Sequence, residues 1–229
     1  MTHPQIVSRQ EWLAARLALL AEEKTFTRAR DELSALRRQM PWVRIETPYV
    51  FQGSNGARSL ADLFAGHGQL IVYHFMLGPD WQEGCKSCSF WADNFDRIIV
   101  HLNQRDASMV AVSSAPLAKI EAFRKRMGRS FTWVSSGGTS FNRDFGVSPV
   151  PGEPLTYNYA PSPHKMDELP GISVFASDGK GAVFHTYSCY ARGLDMLNTA
   201  YHYLDLVPKG RDEAALPHTM AWVKHRDRY

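Results

Sequence analysis

Leu70 to Met76 (LIVYHFM) is short, β-branched and aromatic, the pattern of a strand buried on both faces and therefore central in its sheet. Gly78-Pro79 then breaks the chain into a loop. Cys85 to Leu102 carries Phe90, Trp91, Phe95, Ile98, Ile99 and Leu102 at helical spacing, and Ser108 to Ser113 (SMVAVS) reads as a second buried strand. Strand, helix, strand at this spacing is a βαβ unit, and its right-handed crossover makes the two strands parallel. The loop bearing Cys85 and Cys88 is then expected at the carboxyl edge of the first strand, where open α/β sheets hold their ligands.

Gly84-Cys85-Lys86-Ser87-Cys88 opens that helix. Thiolates, not thiols, attack disulfides, and a helix start offers unpaired amide donors and the positive end of the helix dipole. Cys85 is therefore the expected nucleophile. Cys88, on the first turn, can displace a partner from a mixed disulfide and is the expected resolving thiol. Lys86 adds a cation that favours the thiolate while Glu83 opposes it, so neither the acidity nor the direction of electron flow is fixed. The competing reading is two inert cysteines under a helix. Three cysteines in 229 residues are too few for a disulfide framework or a four-thiolate zinc site. His74, His101 and His185 have no paired ligand spacing, so no metal is expected, and no cofactor beyond the dithiol.

Residues 1–40 form an N-terminal helical extension, in which Trp12, Leu13, Leu17, Leu20, Phe26, Leu33 and Leu36 recur among charges as one or two amphipathic helices ended by Pro41. Their apolar stripe must dock on the main domain or on a second copy, so a homodimer through these helices is one expectation. Residues 41–207 are the main domain, opening with an extended stretch (WVRIETPYVF), a turn at Gly53 to Gly56 and a short helix (SLADLFAG). Pro116 opens a later helix with Gly128 as its cap, and an irregular insertion occupies about 135–168. GISVFA and GAVFHTY form a hairpin about Ser177 to Lys180, and a last helix runs from near Ala191 to Leu206. Residues 208–229 read as a tail, partly helical at best.

Lys plus Arg 26 against Asp plus Glu 23 leaves only +3, with no basic stripe, so nucleic acid is not an expected partner. MTHPQIVSRQEW has no apolar run after a basic start, and nothing approaches the roughly 18 apolar residues of a membrane span. A cytoplasmic address without membrane contact is the expectation.

Other residues carry weaker signals. His74 shares a strand face with Val72 and Met76 and could pass a proton to Cys88, although a satisfied core histidine is the commoner case. Cys189 follows the last strand as a third redox thiol or a small apolar filler, and His185 as a proton carrier or a hydrogen-bonded strand histidine. Trp81 can flank a substrate groove, whereas Trp91 is core. Arg192 could bind an anionic group or pair on the surface, and Tyr157 and Tyr159 could lid the site.

The succession LIVYHFM, Cys85-Lys86-Ser87-Cys88, SMVAVS and LPGISVFASDGKGAVFHTY resembles a thioredoxin fold over most of 42–207. That resemblance matches Pro170 to the cis-proline facing the cysteines, with Leu169 offering backbone to an extended substrate chain. Upstream, YVFQGSNGARSLADLFAGHGQLIVYHFM resembles the peroxiredoxin branch, implying an α/β three-layer sandwich with a mixed central sheet. Peroxiredoxins carry Thr or Ser three residues before the peroxidatic cysteine; here Gln82 stands there, and Pro79 is one residue out of place. GPDWQEGCKSCSFWADNFD, LPGISVF, FHTYSCYARGLDMLNTAYHYLDLVPKGRDE and MAWVKHRD are more specifically similar to a bacterial thioredoxin-like family of unassigned function, whose members are labelled dithiol-disulfide oxidoreductases by analogy.

The function expected from these residues is thiol-disulfide exchange by Cys85 and Cys88 with a protein or a low-molecular-weight disulfide or thiol, Trp81, Leu169 and Pro170 forming the substrate groove. Lys86, His74, Cys189 and Arg192 are auxiliary candidates. A thiol peroxidase and a non-enzymatic thioredoxin-shaped binding module are the rivals.

Overall fold

The computed structural model describes residues 5–163 and 166–229 and divides into two compact units, one ending at Pro41 and the other running from Trp42 to Tyr229. The first is a single helix, α1 (Arg9–Arg38), where the spacing allowed one or two. Ser8 caps it reciprocally: its Oγ accepts the Glu11 amide at 3.3 Å, and Glu11 Oε2 accepts the Ser8 amide at 2.9 Å.

The second unit is built on one sheet. Its strands are β1 (Val43–Arg44), β2 (Val50–Gly53), β3 (Gly56–Ser59), β4 (Gln69–His74), β5 (Ala107–Ser113) and β6 (Trp133–Ser135). A separate ribbon of β7 (Thr156–Tyr157) and β8 (Ala160–Pro161) lies in the insertion, and the hairpin β9 (Gly171–Ser177) and β10 (Val183–Tyr190) returns to the main sheet. The eight strands run in the order β1-β10-β9-β4-β5-β6-β2-β3, which puts the apolar β4 in the middle. β4 and β5 are parallel, with Val72 opposite Val110, and β9 is antiparallel to β4, with Val72 opposite Ser173. The opening extended stretch crosses the molecule, its first residues pairing β10 at one edge and its last pairing β6 near the other.

Between β4 and β5 the expected continuous helix is two pieces, α2 (Lys86–Ala92) and α3 (Phe95–Asn103). The break falls where the Asn94 amide bonds the Trp91 carbonyl at 3.2 Å and the buried Arg129 guanidinium grips Ser89 O at 3.1 Å and Asp93 Oδ1 at 3.2 Å. After α4 (Leu117–Arg126) and α5 (Phe141–Asp144), the expected last helix is also divided. A 3-10 segment, Ala191–Leu197, ends at the buried Asn198, whose side chain accepts the Tyr201 amide at 3.2 Å and starts α6 (Thr199–Leu204).

Each face of the sheet carries its own core. Tyr73, Phe75, Ala111, Trp133 and Ile172 pack against Cys88, Trp91, Phe95, Ile120, Phe123 and Leu194 on one side. Leu70, Val72, Val110, Val112, Val134 and Phe175 pack against Leu63, Phe64, Phe141 and Phe145 on the other. A side chain fully buried in either is worth about 1.5–3 kcal/mol. A parallel β4–β5 crossover, an antiparallel β9–β10 hairpin beside it and helices over both faces make a thioredoxin-like mixed α/β sandwich preceded by an N-terminal helix. No helix among the described residues is long and apolar enough to cross a membrane.

Candidate functional site

Beyond His74 the central strand continues as buried chain: the Phe75 amide bonds Val112 O at 2.9 Å and Leu77 O accepts the Ala115 amide at 2.9 Å. The following loop folds back on this extension, the Cys85 amide bonding Met76 O at 3.0 Å. Gly84 is required at the fold-back, because a Cβ there would sit 2.5 Å from a carbon of the Phe123 ring and 2.8 Å from one of Phe75. Cys85 is the N-cap residue of α2, and its carbonyl accepts the Ser89 amide at 3.0 Å.

Cys85 is half-buried, Cys88 is buried, and the two are not joined in a disulfide. Their acidities are driven apart. The Cys85 thiol falls to about 6 because the Cys88 thiol donates to it, with further donors from the backbone of Cys88 and Ser87 and from the Ser87 side chain outweighing the cost of burial. Burial pushes the Cys88 thiol up, and so does the neighbouring Cys85 sulfur. The helix start thus supplies the donors foreseen, but through Ser87 and Cys88, while Lys86 is exposed.

The residue beneath Cys88 is Tyr73, not His74. Tyr73, Ile172 and Cys189 lie opposite one another across β4, β9 and β10, so their side chains share the face on which Cys88 packs. Hydrogen bonding from the Tyr73 hydroxyl favours the Cys88 thiolate, and the Tyr73 phenol is pushed up chiefly by burial. His74, one residue along, is on the opposite face, tilted against Phe141 and stacked on Phe145, its Nε2 2.8 Å from Ser173 Oγ. Burial pushes it down to about 3, so it is neutral and turned away from the sulfurs. His185 joins the same polar row through Ser188 Oγ at 2.7 Å, and Ser188 Oγ reaches Ser173 Oγ at 2.8 Å.

Trp81 and Cys189 pack against the cluster that contains Cys88. Arg192 does not join it: its side chain is 82% exposed and pairs with Asp195 at 2.9 Å. Pro170 differs from the resemblance, since the described residues contain no cis peptide bond. The loop holding it still borders the sulfur loop, a Cβ at Gly78 lying 3.5 Å from Glu168 Cγ. Leu169, expected to offer backbone outward, is buried and gives its amide to Val147 O at 2.8 Å. The insertion has folded onto this edge, and the Tyr157 hydroxyl fastens it, donating to Pro170 O at 2.8 Å and accepting the Ala191 amide at 2.9 Å.

Two contributors carry no local sequence signal. Arg129 is a buried guanidinium among the rings of Phe75, Phe123, Phe131 and Trp133, holding the carbonyl and carboxylate at the end of α2. The tail is the other. Val223 and His225 are buried, and His225 Nε2 lies 2.8 Å from Gly84 O, next to Cys85. Around it Glu83 accepts from Arg126 at 2.8 Å and from Arg228 at 2.7 Å, while Arg126 also pairs with Asp227 at 2.8 Å. Among the described residues no group of three His, Cys, Asp or Glu side chains could hold a metal ion.

A family model described as "Bacterial protein of unknown function (DUF899)" matches residues 1–229. No curated protein matches the chain. Among solved structures it is similar to peroxidoxin BcpB from Mycobacterium tuberculosis, at 15% identity and a TM-score of 0.49 over 69% of this chain and 93% of that one. Peroxiredoxin Q of Xanthomonas campestris is similar at 16% identity and a TM-score of 0.48 over 70% of this chain and 95% of that one. A mutant PrxQ of Xylella fastidiosa is similar at 11% identity and 0.46 over 72% and 95%.

Proposed function

The chain belongs to a bacterial family of unknown function, and from that starting point we propose that it is a thiol-disulfide oxidoreductase working through Cys85 and Cys88. The observation that carries this reading is the placing of the two sulfurs: Cys85 half-buried at the N-cap of α2, where the Cys88 thiol and the helix-start donors favour its thiolate, and Cys88 buried beside it, where burial favours the thiol. The Cys85 thiolate attacks one sulfur of a substrate disulfide, forming a mixed disulfide and expelling the other sulfur as a thiolate. That step removes the negative charge from Cys85 and with it part of what holds the Cys88 proton in place. Cys88 then loses its proton, steadied as thiolate by the Tyr73 hydroxyl, and attacks Cys85 Sγ. The second substrate sulfur leaves, and the protein holds the internal disulfide.

No group besides the two thiols is needed for this exchange. In the reverse direction the same geometry would oxidise a dithiol, and the reduction potential decides between the two. Cys85→Ser is expected to abolish exchange with a model disulfide, and Cys88→Ser to accumulate mixed disulfides visible on a non-reducing gel. If both variants behave like the parent protein, the reading is wrong. Consumption of hydrogen peroxide by the reduced protein, far faster than by free cysteine, would favour a thiol peroxidase, for which the exposed Gln82 offers no hydroxyl.

A further inference from the structure

We infer that the dithiol is restricted to low-molecular-weight disulfides and excludes disulfides carried in extended polypeptide, because the backbone edge that would pair with such a chain is filled by the protein's own insertion. The inference rests on the oxidoreductase reading above and narrows its substrate class. A polypeptide substrate is held beside a sheet by main-chain hydrogen bonds, so it needs an open donor and acceptor at the edge facing the sulfurs. At Leu169 the donor is spent on Val147 O at 2.8 Å, and Pro170 has no amide hydrogen to give. The Pro170 carbonyl accepts the Tyr157 hydroxyl at 2.8 Å, and the Ala191 amide bonds the same hydroxyl at 2.9 Å. One tyrosine therefore ties the entry of β9 to the exit of β10.

The insertion is not lightly laid on this edge. Val147, Tyr157, Leu169 and Tyr190 form a closed apolar cluster of their own, and the Tyr190 hydroxyl donates to Phe145 O at 2.8 Å. On the inner side Glu168 accepts from Ser114 and from Asn142 Nδ2 at 3.3 Å, fixing the residue before Leu169 from below. An incoming strand would have to break these bonds and expose that cluster before pairing. A small disulfide needs only line-up with Cys85 Sγ, which is half-buried beside the exposed Gln82 and Lys86.

The exchange balances without another reactant. Two electrons pass from the Cys85 and Cys88 sulfurs to the substrate S–S bond, whose halves leave as one thiol with the Cys88 proton and one thiolate that takes its proton from water, and one new S–S bond forms in the protein.

The test is single-turnover oxidation of the reduced full-length protein by hydroxyethyl disulfide and, separately, by insulin, with free dithiothreitol run against both as the unshaped dithiol. The ratio of the small-disulfide rate to the insulin rate is expected to exceed that of dithiothreitol by tenfold or more. Tyr157→Phe, which deletes both bridging bonds, is expected to bring the ratio back toward that of dithiothreitol. A parent ratio equal to that of dithiothreitol, or a Tyr157→Phe ratio no smaller than the parent's, overturns the restriction while leaving thiol exchange in place. If neither disulfide oxidises Cys85 and Cys88 faster than it oxidises free dithiothreitol, the oxidoreductase reading itself falls.

Discussion

A cysteine at a helix start becomes a nucleophile only if particular atoms donate to its sulfur, and here those atoms belong to Cys88 and Ser87. With the Cys85 thiol lowered to about 6, its alkylation by iodoacetamide should rise to half of its plateau near pH 6 and change little above pH 7.5. A free cysteine, with its ordinary value of about 8.5, would still gain about fivefold between pH 7.5 and 8.5. Cys88→Ala, which deletes the largest stabilising donor, should move that midpoint upward, and a pH series of alkylation rates checks it. Gly84→Ala should destabilise the fold by about 1–3 kcal/mol in urea unfolding, since its new methyl meets the Phe75 and Phe123 rings at less than contact distance. The place of the cysteine pair was legible in the sequence because a CxxC spacing at a strand-to-helix junction needs no tertiary knowledge. His74 is the core histidine that was the commoner reading, and the proton shuttle offered beside it fails on geometry, since His74 lies on the face away from Cys88. Successive strand residues face opposite sides, and nothing local to LIVYHFM says which side the cysteine helix will cover, so Tyr73 was not singled out as the neighbour of Cys88.

Among the elements, the central place of β4, the parallel β4–β5 crossover and the β9–β10 hairpin followed from apolar runs, handedness and a turn signal, which act over short stretches. The helix breaks at Asp93–Asn94 and at Asn198 did not, because a buried arginine from after α4 fixes the first and a side-chain cap inside an apolar surround fixes the second. The tail was the largest omission. Its polar sequence hides two buried residues, and its bond to Gly84 depends on a partner 141 positions away. His225→Ala should cost about 2–4 kcal/mol by urea unfolding, from a lost hydrogen bond and a cavity beside Phe123. Arg228→Ala, at the more exposed end of the same clasp, should cost no more than about 1 kcal/mol. Equal losses for the two would mean that the ion pairs, and not the buried ring, hold the tail.

At the scale of the molecule, one buried acid should shape the pH profile of stability. Burial raises Glu168 to about 7 against the bonds from Ser114, Ser148 and Asn142 that lower it. Its folded value lies above its unfolded one, so its contribution is most favourable below about pH 4.5 and is lost as pH climbs through 7. Glu168→Gln mimics the protonated form and should gain on the parent protein by up to about 3 kcal/mol between pH 5 and 8, each tenfold change in proton affinity being worth about 1.4 kcal/mol. Urea midpoints for both proteins at the two pH values test the sign; a gap that closes toward pH 8 would refute it. The reach of the tail also matters while the chain is being made. At about 5–20 residues per second, the 141 positions between Gly84 and His225 separate the emergence of the thiols from that of their clasp by on the order of ten seconds. For that interval the nascent chain carries its sulfurs on an unlatched segment, exposed to whatever oxidants and chaperones wait at the ribosome exit.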